Sequence, residues 1–161
     1  MAGNVTRKRI WGWFFFDWAS QPYNTLLLTF IFAPYVKELM GDGSRAQAAW
    51  GFGIAAAGFA IALLAPILGA LADTGGNRLR WICGFSALYV IGSAMLWFAA
   101  PGDFNLVSTL FFFALGLVGM EFATIFTNAM LPDLGRRDQI GKLSGNGWAF
   151  GYVGGLVTLV I

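Results

Sequence analysis

The sequence predicts an all-helical integral membrane bundle of five spans, with its N-terminus in the cytoplasm. Three observations predict it. Of 161 residues, 58% are hydrophobic, 17% aromatic and only 11% charged, and the mean hydropathy is +0.68. A soluble domain carries about 25% charge, and so few charges cannot cover a surface that faces water. Second, apolar runs at about 11–36, 47–72, 81–100, 104–131 and 143–161 reach the ~20 residues that a span needs. Third, the basic residues alternate in side. Arg7, Lys8, Arg9, Arg78, Arg80, Arg136, Arg137 and Lys142 fall on one side and Lys37 and Arg45 on the other, eight against two. The excess of Lys and Arg marks the cytoplasmic side. Residues 1–10 and the connections 74–78 and 132–142 are therefore expected there, and 11–161 is expected to form the bundle.

The first run opens WGWFFFDWASQPYN (11–24) and holds a carboxylate, Asp17, among aromatic residues. Arg7, Lys8 and Arg9 look like the start of a signal peptide. However, the run behind them contains Asp17, continues to Val36 and has no small-x-small cleavage site, so a retained span is expected. Asp17, Ser20, Gln21, Asn24 and Leu28 share one helical face. This polar stripe enters from the cytoplasmic side and reaches about mid-membrane at ~1.5 Å per residue. Pro22 has no N–H, so the carbonyl of Trp18 loses its helical partner. A kink is expected there, of the kind from which discontinuous transporter helices build sites.

The second run carries the small-residue stripe Gly51, Ala55, Gly58, Ala62, Ala65 and Gly69, which predicts a close packing face. It ends in GALADTGGNRLRW (69–81), where Asp73 closes the helix, Gly75 and Gly76 reverse the chain, and Arg78 and Arg80 anchor the next helix. The third run has only Ser86 and Ser93 as polar core residues, and Cys83 reads as packing. With a single cysteine no internal disulfide can form.

The fourth run holds a second ionisable residue, Glu121, with Thr124 and Asn128 on the same face at i+3 and i+7. Counted from their cytoplasmic ends, Asp17 and Glu121 lie within about 6 Å of each other in depth. The fifth run is glycine-rich (Gly145, Gly147, Gly151, Gly154, Gly155), predicting close helix contact, and Asn146, Trp148 and Tyr152 either face a cavity or pack. It runs to Ile161 without a polar flank, so an N-terminal fragment of a longer chain is expected.

An ionisable residue inside a span costs a few kcal/mol and faces the bundle interior or a watery cavity. Two readings of Asp17 and Glu121 stand. They line a solute or proton pathway with Gln21, Asn24, Thr124 and Asn128, and a carboxyl there could carry a proton. Alternatively they hydrogen-bond helices together in a non-transporting scaffold or assembly subunit. An intramembrane enzyme is not expected, because the chain has no histidine and no nucleophile–base or metal-ligand constellation. No cofactor, metal or nucleic-acid partner is expected.

The 69–78 stretch resembles the loop 2–3 signature of the major facilitator superfamily, G-x-x-x-D-basic-x-G-basic-basic. Gly69, Asp73, Gly76 and Arg78 match it, while Thr74 and Asn77 replace basic residues, against a charge relay. FFFDWASQPYNTLLLTFIFAPY (14–35) and NAMLPDLGRRDQIGKLSGNGWAFGYVGG (128–155) resemble the vacuole-effluxer-like branch of that superfamily, the fungal autophagy-related amino-acid effluxers and their bacterial relatives. The resemblance implies a twelve-span-type carrier of two pseudo-symmetric halves, of which this chain is most of the first. It implies alternating access, with the first and fourth spans lining the cavity and the second meeting the absent half. The expected partners are the lipid bilayer, a small polar solute such as an amino acid, and the C-terminal half. The expected location is the bacterial cytoplasmic membrane.

Overall fold

The computed structural model describes residues 7–75 and 77–161, and of 73–75 the backbone only. All regular structure among these residues is helical. Helix α1 (Arg7–Pro22) runs into a π-helical stretch, Tyr23–Phe30, and then α2 (Phe32–Met40), α3 (Gly43–Gly75), α4 (Arg78–Met95), α5 (Leu106–Asn128) and α6 (Ile140–Val160) follow. Short 3₁₀ turns, Leu96–Phe98 and Leu131–Asp133, follow α4 and α5.

Among the described residues, three helical stretches are long and apolar enough to cross a membrane: Gly43–Ala72, Arg78–Phe98 and Leu106–Asp133. They correspond to the second, third and fourth expected spans. Their outward surface is apolar, with Phe52, Phe59, Val90, Phe111 and Trp97 among many exposed large side chains. A soluble monomer seldom exposes apolar patches of that extent, and lipid removes the penalty.

The first expected span is not one helix. Pro22 stays in helical conformation (φ −53°, ψ −36°) as the last residue of α1. The chain then widens: Ile31 N–H bonds to the carbonyl five residues back, Leu26, at 2.9 Å, and Thr29 Oγ1 donates to Asn24 O at 2.7 Å. The bend falls at Ile31 (φ −110°). Thus Pro22 itself makes no break, and the bend comes later than expected, just before Pro34, whose missing N–H leaves the Phe30 carbonyl without that partner.

Local caps account for the other boundaries. Gly41 takes φ +66° and ends α2, a left-handed conformation that glycine adopts at no steric cost. Asp42 Oδ1 accepts from Ser44 N (3.1 Å), Arg45 N (3.1 Å) and Ser44 Oγ (2.9 Å) at the start of α3. Asn105 Oδ1 accepts from Ser108 N at 3.0 Å and opens α5. Asn77, read from sequence as a departure from a basic pattern, caps α4 by accepting from Arg80 N at 3.4 Å.

α5 is the hub, with ten of its 23 residues buried. One cluster joins it to Tyr23, Phe32, Val36 and Trp50, and a second joins Phe122 and Phe126 to Ala72 and Ile82. The closest helix pair is α4 against α5. A Cβ on Gly92 would stand 2.6 Å from Gly116 Cα, and one on Gly119 would stand 2.5 Å from Tyr89 N. Of the stripe expected to pack, on α3, Ala65 lies against the second cluster, and the glycines make no close approach within this chain. A Cβ on Gly51, Gly58 or Gly69 would meet nothing within 4 Å. Cys83 is exposed on α4 rather than packed in a core.

Candidate functional site

α1 and the π-helical stretch after it are held to the bundle by three aromatic side chains that bond to backbone carbonyls. Trp13 Nε1 donates to Thr127 O (3.1 Å), Tyr23 Oη to Phe113 O (2.5 Å), and Tyr89 Oη to Ala19 O (3.1 Å). α6 closes on the other side of α1 through glycines. A Cβ on Gly147 would collide with the Trp13 ring, and one on Gly154 would stand 3.0 Å from the Trp18 carbonyl. Gly155 lies as close to Thr25, whereas Gly145 meets nothing.

Between α1, α5 and α6 lies a cavity of about 300 Å³. Asp17, Gln21, Asn24, Glu121, Thr124 and Asn128, the six residues expected on a pathway, all line it, with Ser20, Met120, Ile125 and Trp148. An i, i+4, i+7 row on the first helix and an i, i+3, i+7 row on α5 bring them together. Asn128 and Trp148 are exposed; the others of the six are half-buried.

The polar groups are poorly matched to one another. Asp17 Oδ2 is buried without a hydrogen-bond partner among the described residues. It is pressed against Gly151, where a Cβ would collide with it. Asn24 Nδ2 and Thr124 Oγ1 both point at Met120 Sδ, at 3.7 and 3.8 Å, and a thioether is a weak acceptor. Ser20 Oγ donates to Asp17 O at 3.0 Å, so its hydroxyl is committed to the backbone. No lysine or arginine lines this cavity. It can solvate a cation, a proton or a neutral polar group, and has no counter-ion for an anion.

The loop residues lie elsewhere. A Cβ on Gly69 would meet nothing within 4 Å, and the Asp73 side chain and Gly76 lie outside the described residues. Arg78 donates to Ala129 O (3.0 Å) and pairs with Asp133 Oδ2 (3.7 Å). It thereby ties the start of α4 to the segment after α5. Sequence reading placed Arg78 at the membrane face without this partner. The signal available was Asp133 in the Asn-x-x-Leu-Pro-Asp stretch, which also supplies Asn128 to the cavity.

Residues 45–161 match the family described as vacuole effluxer Atg22 like. The chain belongs to that family. It is also 28% identical over 153 residues to an uncharacterized MFS-type transporter, YxiO, of Bacillus subtilis (strain 168), a match that covers 92% of this chain. The chain spans about a third (35%) of that relative's length. No solved structure matches. The family match begins after α2, so it includes Glu121, Thr124 and Asn128 of the cavity but not the stretch with Asp17.

Proposed function

We propose that this chain is the first cavity-lining part of a secondary active transporter that moves a small polar solute across a membrane by alternating access. In this reading the broken first helix and α6 are also spans, giving five with the N-terminus in the cytoplasm of a bacterial inner membrane. The remaining spans come from further chain of the kind the Bacillus relative has. Amino acids are the solute class suggested by the effluxer resemblance, and a proton carried by Asp17 or Glu121 is the proposed coupling.

One observation carries the reading: two carboxylates and four neutral polar side chains converge on one cavity in an otherwise apolar bundle, and they do not satisfy each other. Residues that only hold helices together bond to one another. Here an Asp17 oxygen has no partner among the described residues, and two donors rest on a methionine sulfur. Groups left in that state suit a passing solute.

The test is uptake and counterflow of an amino-acid panel by the full-length protein in liposomes, with and without a pH gradient. Asp17→Asn and Glu121→Gln are expected to abolish flux while insertion and yield stay normal. Full flux in both variants would remove these residues from the pathway, and no flux in the wild type for any solute would favour the scaffold.

A further inference from the structure

A second cavity, also about 300 Å³, lies between α1, α4 and the end of α5, and no part of the transport reading uses it. Its wall is apolar, including Trp13, Phe16, Leu79, Ile82 and Leu134. Two polar side chains interrupt that wall. Arg9 is exposed. Thr127 is only 6% exposed, yet its hydroxyl has no hydrogen-bond partner among the described residues. The Thr127 carbonyl accepts from Trp13 Nε1, so Thr127 sits level with Trp13. That is four residues inward from Arg9 along α1, or about 6 Å.

The charge around this end is mostly basic, with Asp133 paired to Arg78. α1 begins here with Arg7, Lys8 and Arg9, and α4 begins with Arg78 and Arg80. Read inward, the cavity offers a guanidinium, then an unpartnered hydroxyl, then aromatic and aliphatic side chains. A phospholipid presents its groups in the matching order: phosphate, ester carbonyls, acyl chain. We propose that this cavity is a binding site for one anionic phospholipid of the surrounding bilayer, with its phosphate on Arg9, an ester carbonyl on the Thr127 hydroxyl and part of one acyl chain in the apolar recess. The charge selects the headgroup, since clustered basic residues at a membrane surface attract anionic lipid. Because Trp13 both walls this cavity and packs on Gly147 of α6, the lipid would brace α1 at the entrance to the polar cavity.

The experiment uses the full-length protein in phosphatidylcholine nanodiscs doped with phosphatidylglycerol that carries a diazirine in one acyl chain. After irradiation, labelled residues are mapped by mass spectrometry. Labelling is expected to concentrate on Phe16, Leu79 and Ile82. Arg9→Gln should lower it about fivefold, the effect of one basic side chain near an anionic surface. Gly12 lines the same cavity, and a Cβ there meets nothing within 4 Å. Gly12→Leu should therefore fill the space and abolish labelling without loss of folded yield. The same diazirine on phosphatidylcholine should label weakly. Equal labelling by both lipids, insensitivity to Arg9→Gln, or labelling spread evenly over outward residues such as Phe52 and Phe59 would overturn the proposal.

Discussion

Gly151 decides where the Asp17 carboxylate can be. Any side chain at 151 would occupy the place of Asp17 Oδ2. Gly151→Ala is therefore expected to lower flux by at least about tenfold, as misplaced reactive groups do, while leaving the protein inserted. Gly145→Ala on the same helix, where a Cβ meets nothing within 4 Å, should transport normally, and a flux assay on the pair checks this. Tyr23 acts differently. It is 1% exposed, and its hydroxyl bonds to Phe113 O. Tyr23→Phe should cost about 1 kcal/mol, the usual worth of such a bond, read as a lower melting temperature in detergent.

At the scale of elements, the α4–α5 contact is backbone to backbone and has no room to adjust. Gly119→Ala should destabilise by about 1–3 kcal/mol through overpacking, measurable by thermal unfolding. Gly58→Ala on α3, which meets nothing, should not. The cap of α3 carries a pH dependence. Bonds from the Arg45 N–H and the Ser44 hydroxyl hold the Asp42 carboxyl below its ordinary value. Its stabilisation is thus complete above the unfolded carboxylate value and is lost as pH falls through the depressed folded one. Hydrogen exchange at Ser44 and Arg45 should quicken on acidification across that window. In Asp42→Asn, which keeps an acceptor but cannot titrate, it should not.

Much at this scale was legible in the sequence. Apolar length gave α3, α4 and α5, and helical spacing put Asp17, Gln21 and Asn24 on one face and Glu121, Thr124 and Asn128 on another. Two carboxylates in apolar runs stand out because their cost demands a reason. What stayed hidden depended on partners. The break at Ile31 had a mark that the reading passed over: Pro34, in the first turn of α2, has no N–H to offer the Phe30 carbonyl. Small residues on α3 looked like a contact, yet Gly92, Gly116 and Gly119 make the tight one, because spacing shows which residues share a face and not what that face meets. Nothing in the sequence singles out Trp13, Tyr23 and Tyr89, whose hydrogen bonds to distant carbonyls appear only in the structure.

At the scale of the whole molecule, the polar cavity is walled by α1, α5 and α6, and the chain spans 35% of its Bacillus relative. The proposed topology has a direct check. Ser44→Cys should react with an impermeant thiol reagent from outside the cell and Asp138→Cys only after permeabilisation, in a Cys83→Ser background. The central claim is that the cavity holding Asp17 and Glu121 is a solute pathway, and the measurement that tests it most directly is thiol reactivity at Asn24. In the full-length protein with Cys83→Ser, Asn24→Cys is expected to react with a water-soluble thiol reagent, and the transported solute should slow that reaction. An Asn24→Cys that stays unreactive in folded protein, or reacts at a rate no transported solute changes, would contradict the account.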